Sequence, residues 1–410
     1  MTQVSSERWE GGILIPPEGF GLVFMGGAAK GAYHLGVWQA LRELDIPIRA
    51  VTGASIGSIN GALLAQGDFD KAVETWHSVR MDQIVRAKGI TDTTENLLDP
   101  RNLITIAREI VTQGGLDTTP LKEMLASVLD EETIRSSGID YGLTTFSKND
   151  ISTTEIFLDE IPQGQLMDYI MASACFPIFK SVHIGDNDFI DGGIGDNMPV
   201  RMLLKRGVEH IITVDIGGVG MVHNVNPEGA TIIPIKHSLP LGALFDLSPE
   251  TLNFNQNLGY LDTMKVFGRY PGKYFFFTQE EYVRMTGHFS RYTCEGLEEA
   301  GLLYGIQRDR LYGAQEFFDA LMEAFETHQP RFEKKLSSPA FVTVLRELKE
   351  GNGLTGSMDG PMRLHTAMEA IAANRGIPWS RSSIPALEKE RRAAAAMLTL
   401  IRLGGIKKQI

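Results

Sequence analysis

Apolar residues in the first part of the chain fall alternately into short continuous runs and into runs of helical spacing. GFGLVF, ending in the glycine-rich MGGAAKG, reads as a buried strand running into a turn. AYHLGVWQALREL then places Leu35, Trp38 and Leu41 with Val37 and Leu44 on one side of a helix, and IPIRAVTGAS returns as a second strand. A strand, helix and strand in so short a span make a βαβ unit, which requires a right-handed crossover and a mainly parallel sheet covered on both faces.

Between residues 70 and 135 the pattern is helical, in DKAVETWHSV, NLITIAREIV and TTPLKEMLASVL. Thr119 is expected as the N-cap of the last, with Pro120 at its first helical position. YGLTTFS and EIFLDE read as strands joined by the polar turn KNDIST. GQLMDYIMASACF reads as a helix ended by Pro177, SVHIGDNDFIDGG as a hairpin turning at Gly185 to Asp188, and HIITVDIGG and ATIIPIKHS as two more buried strands. Beyond about residue 240 the segments LGALFDLSPETLNFNQNLGYLDTMKVF, AQEFFDALMEAFETH, FVTVLRELKE, RLHTAMEAIAANR and PALEKERRAAAAMLTLIRL are all helical, and only KYFFFTQ looks extended. The chain has no repeat of fixed period, and its longest low-complexity tract is the four alanines 393–396.

With 410 residues the chain exceeds the size at which a single core usually keeps growing. The pattern divides it into an N-terminal extension (1–17), an α/β domain (18–240) and a mainly helical C-terminal region (241–410). A net charge of −12 argues against nucleic acid as the main partner. Two cysteines, Cys175 and Cys294, give no disulfide framework and no zinc-ligand spacing. The N-terminal stretch lacks the basic, apolar and small-residue regions of a secretory signal, and no run approaches the ~18 apolar residues of a membrane span. The expectation is a cytoplasmic protein whose contact with lipid is peripheral, with signal-less export compatible with the same features.

The chemistry concentrates in the turns. A nucleophilic serine needs a strained strand-to-helix turn, a base within hydrogen-bond reach and amides aimed at the developing oxyanion. In VTGASIGSIN, Gly53 and Gly57 flank Ser55 at a helix N-terminus, although a glycine-rich turn in any parallel sheet gives a similar signal. The turn MGGAAKGAY holds the same position in the preceding unit, so adjacent parallel strands would bring its amides beside Ser55. It matches neither a P-loop nor a dinucleotide fingerprint, since Ala28 replaces the middle glycine. His34, His210, His237, His288 and His365 lie in helices, strand starts or loops without a distinguishing motif. FIDGGIGDNMPV offers Asp191 instead, a carboxylate on a strand-end turn followed by Gly192 and Gly193; an Asp in an ordinary β-turn is the other reading. Asp196 and Asn197 are expected to cap and orient the next segment, and Cys175 to be a small core residue.

In order and spacing, GGAAKG, GASIG, GGLDTTPLKEML, MASACFPIF and DGGIGDNMPV resemble the patatin-like phospholipase family over roughly residues 18–240. The resemblance implies a three-layer α/β/α fold with a mainly parallel central sheet and a C-terminal helical region. It also implies a serine acyl hydrolase using a Ser–Asp dyad on fatty-acyl esters of phospholipids, without metal or cofactor. Ser55 matches the nucleophile, Asp191 the base, and Gly26, Gly27 and Ala28 the oxyanion hole, with Lys30 and Gly31 as motif support. Two positions depart from the family pattern, which usually has glycine at Ala28 and arginine at Lys30. Ala28 keeps its amide but tolerates positive φ poorly, and Lys30 keeps the charge without the bidentate fork. Two alternatives stay open: a carboxylesterase or thioesterase for soluble acyl substrates, and a catalytically weak lipid-binding or effector protein. The segment 385–410 holds an excess of Lys and Arg that suits either anionic lipid or a solvated helix packed through Leu387, Met397, Leu400 and Leu403.

Overall fold

The computed structural model describes residues 8–86, 108, 112–227, 229–336, 358–372 and 385–404. The helices expected at 102–111 (apart from Arg108) and 341–350 lie outside them. The chain divides into two compact units, Met1–Phe267 and Gly268–Ile410.

The first unit opens with an antiparallel hairpin, β1 (Arg8–Glu10) and β2 (Ile13–Ile15), turned by Gly11 and Gly12 at φ 56° and 83°. Positive φ at both central residues is what a two-residue hairpin turn requires. Next come β3 (Phe20–Phe24), α1 (Ala32–Glu43), β4 (Ile48–Ala54), α2 (Ile56–Gln66) and α3 (Phe69–Ser78). They are followed by α4 (Thr119–Val128), α5 (Glu131–Ser136), β5 (Asp140–Ser147), β6 (Ser152–Phe157) and α6 (Leu166–Ser173). The unit closes with β7 (Val182–Ile184), β8 (Asn187–Asp191), α7 (Val200–Lys205), β9 (His210–Asp215), β10 (Thr231–Lys236) and α8 (Pro249–Val266).

β10, β9, β3, β4 and β5 lie side by side in that order and all parallel, while β6 and the β7–β8 hairpin add antiparallel strands around β5. β3 and, from Ala50 onward, β4 are buried on both sides because helices cover both faces of the sheet. This is the α/β layered fold with a mainly parallel sheet that the alternation of strand and helix patterns implies.

Two element boundaries differ from the sequence reading. α4 begins at Thr119 with Thr118 as the cap, so Pro120 stands second; the carboxylate of Asp117 takes the Thr119 amide at 3.0 Å and leaves Thr119 no capping role. α6 stops at Ser173, well before Pro177, because the chain must turn there for the Cys175 carbonyl to receive the Asp191 amide.

The first unit runs past residue 240 because α8 packs directly on α1. The contact is backbone to backbone. A Cβ on Gly36 would stand 1.8 Å from the Gln256 carbonyl oxygen, and one on Gly259 would stand 2.1 Å from that of Tyr33. Beside this contact the buried Tyr33 hydroxyl donates to Asp262 Oδ2 at 2.9 Å, and the same oxygen accepts the Ser238 amide.

The second unit holds β11 (Phe276–Phe277), α9 (Gln279–His288), α10 (Arg291–Tyr304), β12 (Leu311–Tyr312), α11 (Ala314–Leu336), α12 (Gly360–Ala372) and α13 (Pro385–Arg402). Phe275, Phe277, Phe317 and Phe318 fill its core, and the FFF run is held by Glu298, whose Oε2 accepts the amides of Tyr274 and Phe275. The alanine tract has a packing role: Ala393, Ala394 and Ala396 are buried, and Gly296 of α10 rests against Arg392 and Ala396. Met397 and Leu400 are buried with them, Leu403 is exposed, and Arg392 is paired with the buried Glu299. Among the described residues no helix is long and apolar enough to cross a membrane.

Because no side chain fits between α1 and α8, Gly36→Ala forces them apart. We expect a loss of about 1–3 kcal/mol, as for overpacking generally, read as a drop of several degrees in the thermal midpoint. An exposed control such as Gly287→Ala, where a Cβ meets nothing within 4 Å, should show no such drop.

Candidate active site

The register of the sheet brings the two candidate chemical groups together. β6 occupies one edge of β5 along residues 142–147, so β4 and β8 share the other edge. β4 runs up that edge until Ala54 lies opposite Thr144, and β8 runs down it until Asp191 lies opposite Thr145. The carboxyl ends of the two strands thus meet on neighbouring residues of β5. Ser55 follows Ala54 at once, and its Oγ donates to Asp191 Oδ2 at 2.7 Å.

Ser55 is held in a costly conformation. Its φ of 53° and ψ of −125° lie where a side chain is strained, at about 1–3 kcal/mol. Close approach on both flanks holds it there: a Cβ on Gly53 would stand 2.3 Å from the Gly57 carbonyl, and one on Gly57 would stand 2.1 Å from the Phe24 carbonyl oxygen. The turn therefore packs backbone on backbone, and the Ser55 amide is fixed by donating to the buried Ser173 Oγ at 3.0 Å.

Asp191 is just as constrained. Its amide donates to the Cys175 carbonyl at 2.8 Å, and its Oδ1 accepts the Gly193 amide at 2.8 Å, leaving Oδ2 for Ser55. Burial raises its pKa to about 6, because desolvation outweighs the hydrogen bonds from Ser55 and Gly193 that favour the anion. Burial likewise pushes the Cys175 thiol up to about 12, which leaves it protonated and inert.

The second glycine-rich turn lies beside Ser55, as adjacency of β3 and β4 demands; Phe24 pairs with Gly53. Its amides divide. Gly26 donates to the Asn197 carbonyl at 3.2 Å and is committed to that bond, so it is withdrawn from the set expected to face an oxyanion. Among the described residues no acceptor is found for the Gly27 and Ala28 amides, and both residues line the cavity above Ser55. Ala28 adopts φ 47°, the strained region that the family's usual glycine enters freely. The Lys30 Nζ donates to the Gly217 carbonyl at 2.9 Å, tying the turn to a neighbouring loop.

Asn197 has a larger role than capping. Besides its carbonyl bond to Gly26, its Nδ2 donates to the Gly26 carbonyl at 3.2 Å, so the two residues are joined in both directions. This joins the Gly26 turn to the Asp191 turn. Asp196 does not cap α7, whose N-cap is Pro199; its Oδ1 takes the Met198 amide at 3.1 Å within the turn that precedes the helix. Ser173 and Asn197 carried no catalytic signal in the sequence; both sit inside segments, MASACF and DGGIGDN, whose residues look like ordinary helix-end and turn polar groups.

The site opens into a cavity of ≈ 270 Å³ lined by Ile59, Leu63, Trp76, Leu121, Leu125, Phe176, Phe179 and Phe245 as well as by Ser55 and Asp191. Among the described residues no histidine lines it. His34 is buried beneath the site, stacked on Phe24 and beside Asn60, and burial lowers its pKa to about 3, so it is a neutral core residue.

A half-buried strand-to-helix serine bonded to a buried carboxylate, beside turn amides that find no acceptor among the described residues, has the make-up of a hydrolase-type site on a layered α/β fold. Residues 22–204 match the model of the patatin-like phospholipase family. Among curated relatives, a patatin-like phospholipase domain-containing protein of Caenorhabditis elegans is 30% identical over 50% of this chain and 14% of its own length. Lysophospholipase NTE1 of Debaryomyces hansenii is 28% identical over 50% of this chain and 12% of its own length. The chain thus spans only a small part of the curated relatives it matches. Among solved structures, VipD from Legionella pneumophila aligns over 100% of this chain and 99% of its own at 14% identity, with a TM-score of 0.40.

Ser173→Ala removes the acceptor for the Ser55 amide and leaves it unpaired. We expect a loss of about 1–3 kcal/mol in urea unfolding, whereas Ser58→Ala, which removes a donor to the Ser55 carbonyl and leaves that carbonyl bonded to the Ser58 amide, should cost less.

Proposed function

We propose that this chain hydrolyses fatty-acyl esters of phospholipids through a Ser55–Asp191 dyad. The observation that carries the proposal is the 2.7 Å bond from Ser55 Oγ to a buried carboxylate at the base of an apolar cavity. The match of residues 22–204 to the patatin-like phospholipase family supports it.

In the first step Asp191 Oδ2 takes the Ser55 proton as Oγ attacks the ester carbonyl carbon. The carbonyl oxygen becomes an oxyanion facing the amides of Gly27 and Ala28, with the N-terminus of α2 adding favourable potential. The tetrahedral intermediate collapses, the C–O bond to the alcohol breaks, and the leaving lysolipid oxygen takes the proton back from Asp191. In the second step a water loses its proton to Asp191 and attacks the acyl-Ser55 carbonyl. Ser55 leaves with that proton and the fatty acid is released.

A carboxylate does the work usually given to histidine, and the site's polarity suits this. An ordinary aspartate is a weak base; raising its pKa to about 6 strengthens it while leaving it mostly ionised at neutral pH. The apolar walls serve the substrate, since burying an alkyl chain contributes about 0.8 kcal/mol per methylene. The walls also favour an acyl ester over a small charged ester.

Ser55→Ala and Asp191→Asn should each lower fatty-acid release from phospholipid vesicles by at least about 10³-fold, with unchanged far-UV spectra. Retained release in either variant would sink the dyad. The pH dependence has a definite sign: Asp191 must be ionised to accept the proton, so kcat/KM should fall tenfold per pH unit below about 6 and level off above it. An acid limb nearer pH 4 would mean that the base is another, more exposed carboxylate.

A further inference from the structure

We infer that the loop 217–222 is a preformed wedge that seats the active-site mouth on the surface of a zwitterionic lipid bilayer; the inference rests on the acyl-hydrolase reading above. The sequence GGVGMV joins two needs. Its glycines let the backbone lie flat on the catalytic turns, since a Cβ on Gly218 would stand 1.7 Å from the Gly26 carbonyl oxygen and one on Gly220 would stand 2.4 Å from that of Gly193. Its remaining side chains have nowhere to go but outward. Val219, Met221 and Val222 are 77, 54 and 48% exposed, and the neighbouring Ile194 is 37% exposed.

The backbone of this loop is anchored at Gly217, Val219 and Met221. The Met221 amide donates to the Gly193 carbonyl at 2.8 Å, the Met221 carbonyl accepts the Asn197 amide at 2.6 Å, and the Val219 carbonyl accepts Asn197 Nδ2 at 3.4 Å. Lys30 Nζ holds the Gly217 carbonyl. These bonds fix the loop on the catalytic turns, so its apolar side chains are presented outward without a prior ordering step and its remaining polar backbone groups stay at the headgroup level, short of the hydrocarbon.

Two observations commit the surface to lipid. Ile194 and Val219 are both exposed and part of the cavity lining, so the outer patch is continuous with the apolar cavity above Ser55. An acyl chain could then pass from bilayer to cavity without crossing water. The chain's net charge of −12 disfavours an anionic surface, which leaves zwitterionic headgroups and an interaction dominated by apolar burial.

The test uses the full chain with Ser55→Ala, so that vesicles stay intact, and phosphatidylcholine vesicles. Met221→Ser with Val222→Ser should lower co-sedimentation by about tenfold or more, with no rescue or further loss between low and high salt. In the chain with Ser55 intact, the same pair should cut vesicle hydrolysis similarly while leaving hydrolysis of a soluble short-chain ester within about twofold. Unchanged vesicle binding in the double variant overturns the inference. A second measurement is independent of that variant's folding: Cys175 and Cys294 are buried, so Met221→Cys can be labelled selectively with an environment-sensitive fluorophore. A blue shift and quenching by brominated phosphatidylcholine support insertion, and an unshifted spectrum with bound vesicles overturns it. Should the intact chain hydrolyse no ester while the loop still governs vesicle binding, the hydrolase reading fails and the lipid surface stands.

Discussion

Everything at the site depends on two strands ending head to head on one edge of β5. Because β6 takes the opposite edge, β4 and β8 must share what remains, and their carboxyl ends stop at Thr144 and Thr145. The separation of Ser55 and Asp191 is thereby set by strand geometry, about 3.3 Å per residue along β5, and not by flexible side chains. A group built on strand ends varies little in position, which is what the proposed proton transfer over 2.7 Å needs. β8 of the β7–β8 hairpin, antiparallel to β5 as β6 is on the other edge, comes from the opposite direction and so brings a carboxylate to the end of β4.

Around that meeting point the packing is done largely by backbone. Gly53 and Gly57 hold Ser55 in a strained conformation by close approach, Gly26 and Asn197 lock the two turns together, and Gly218 and Gly220 lay a third loop over both. Side chains would keep these segments apart by more than an ångström. The consequence is electrostatic as well as steric: backbone amides and carbonyls come near the reacting atoms with fixed orientation, so little reorganisation is left for the moment of reaction. Ala28 shows the limit of this economy, keeping the amide at a cost in backbone strain of about 1 kcal/mol. Lys30, with its charge directed to a carbonyl, serves the same cross-bracing.

Burial sets the chemistry of the ionisable groups. Asp191 and His34 are both enclosed, yet burial moves them in opposite senses: the acid becomes a better base and the imidazole loses its ability to be one. His34 therefore belongs with Phe24 and Asn60 to the core under the turn. The helical second unit solves a separate packing problem, with its Phe275–Phe277 run held by the buried Glu298 and its alanine tract allowing α10 and α13 to approach closely.

Much of this was legible in the residues. The largely apolar runs at 20–24 and 48–54 with a helical pattern between them point to a parallel βαβ unit, because that topology covers both strand faces. The turns at Ser55 and Asp191 announce themselves through glycine, whose placement reflects local backbone demands. The helix ends at Thr119 and near Pro177 shifted: at the first the sequence neighbour Asp117 takes the Thr119 amide, and at the second termination answers to the distant Asp191 amide. Three things were decided only by tertiary structure: that β4 and β8 share one edge, that Gly26 gives its amide to Asn197, and that Val219, Met221 and Val222 face outward. Each depends on which distant segments occupy the space beside a residue, and a linear pattern records a residue's own preference for burial or turning without recording its neighbours.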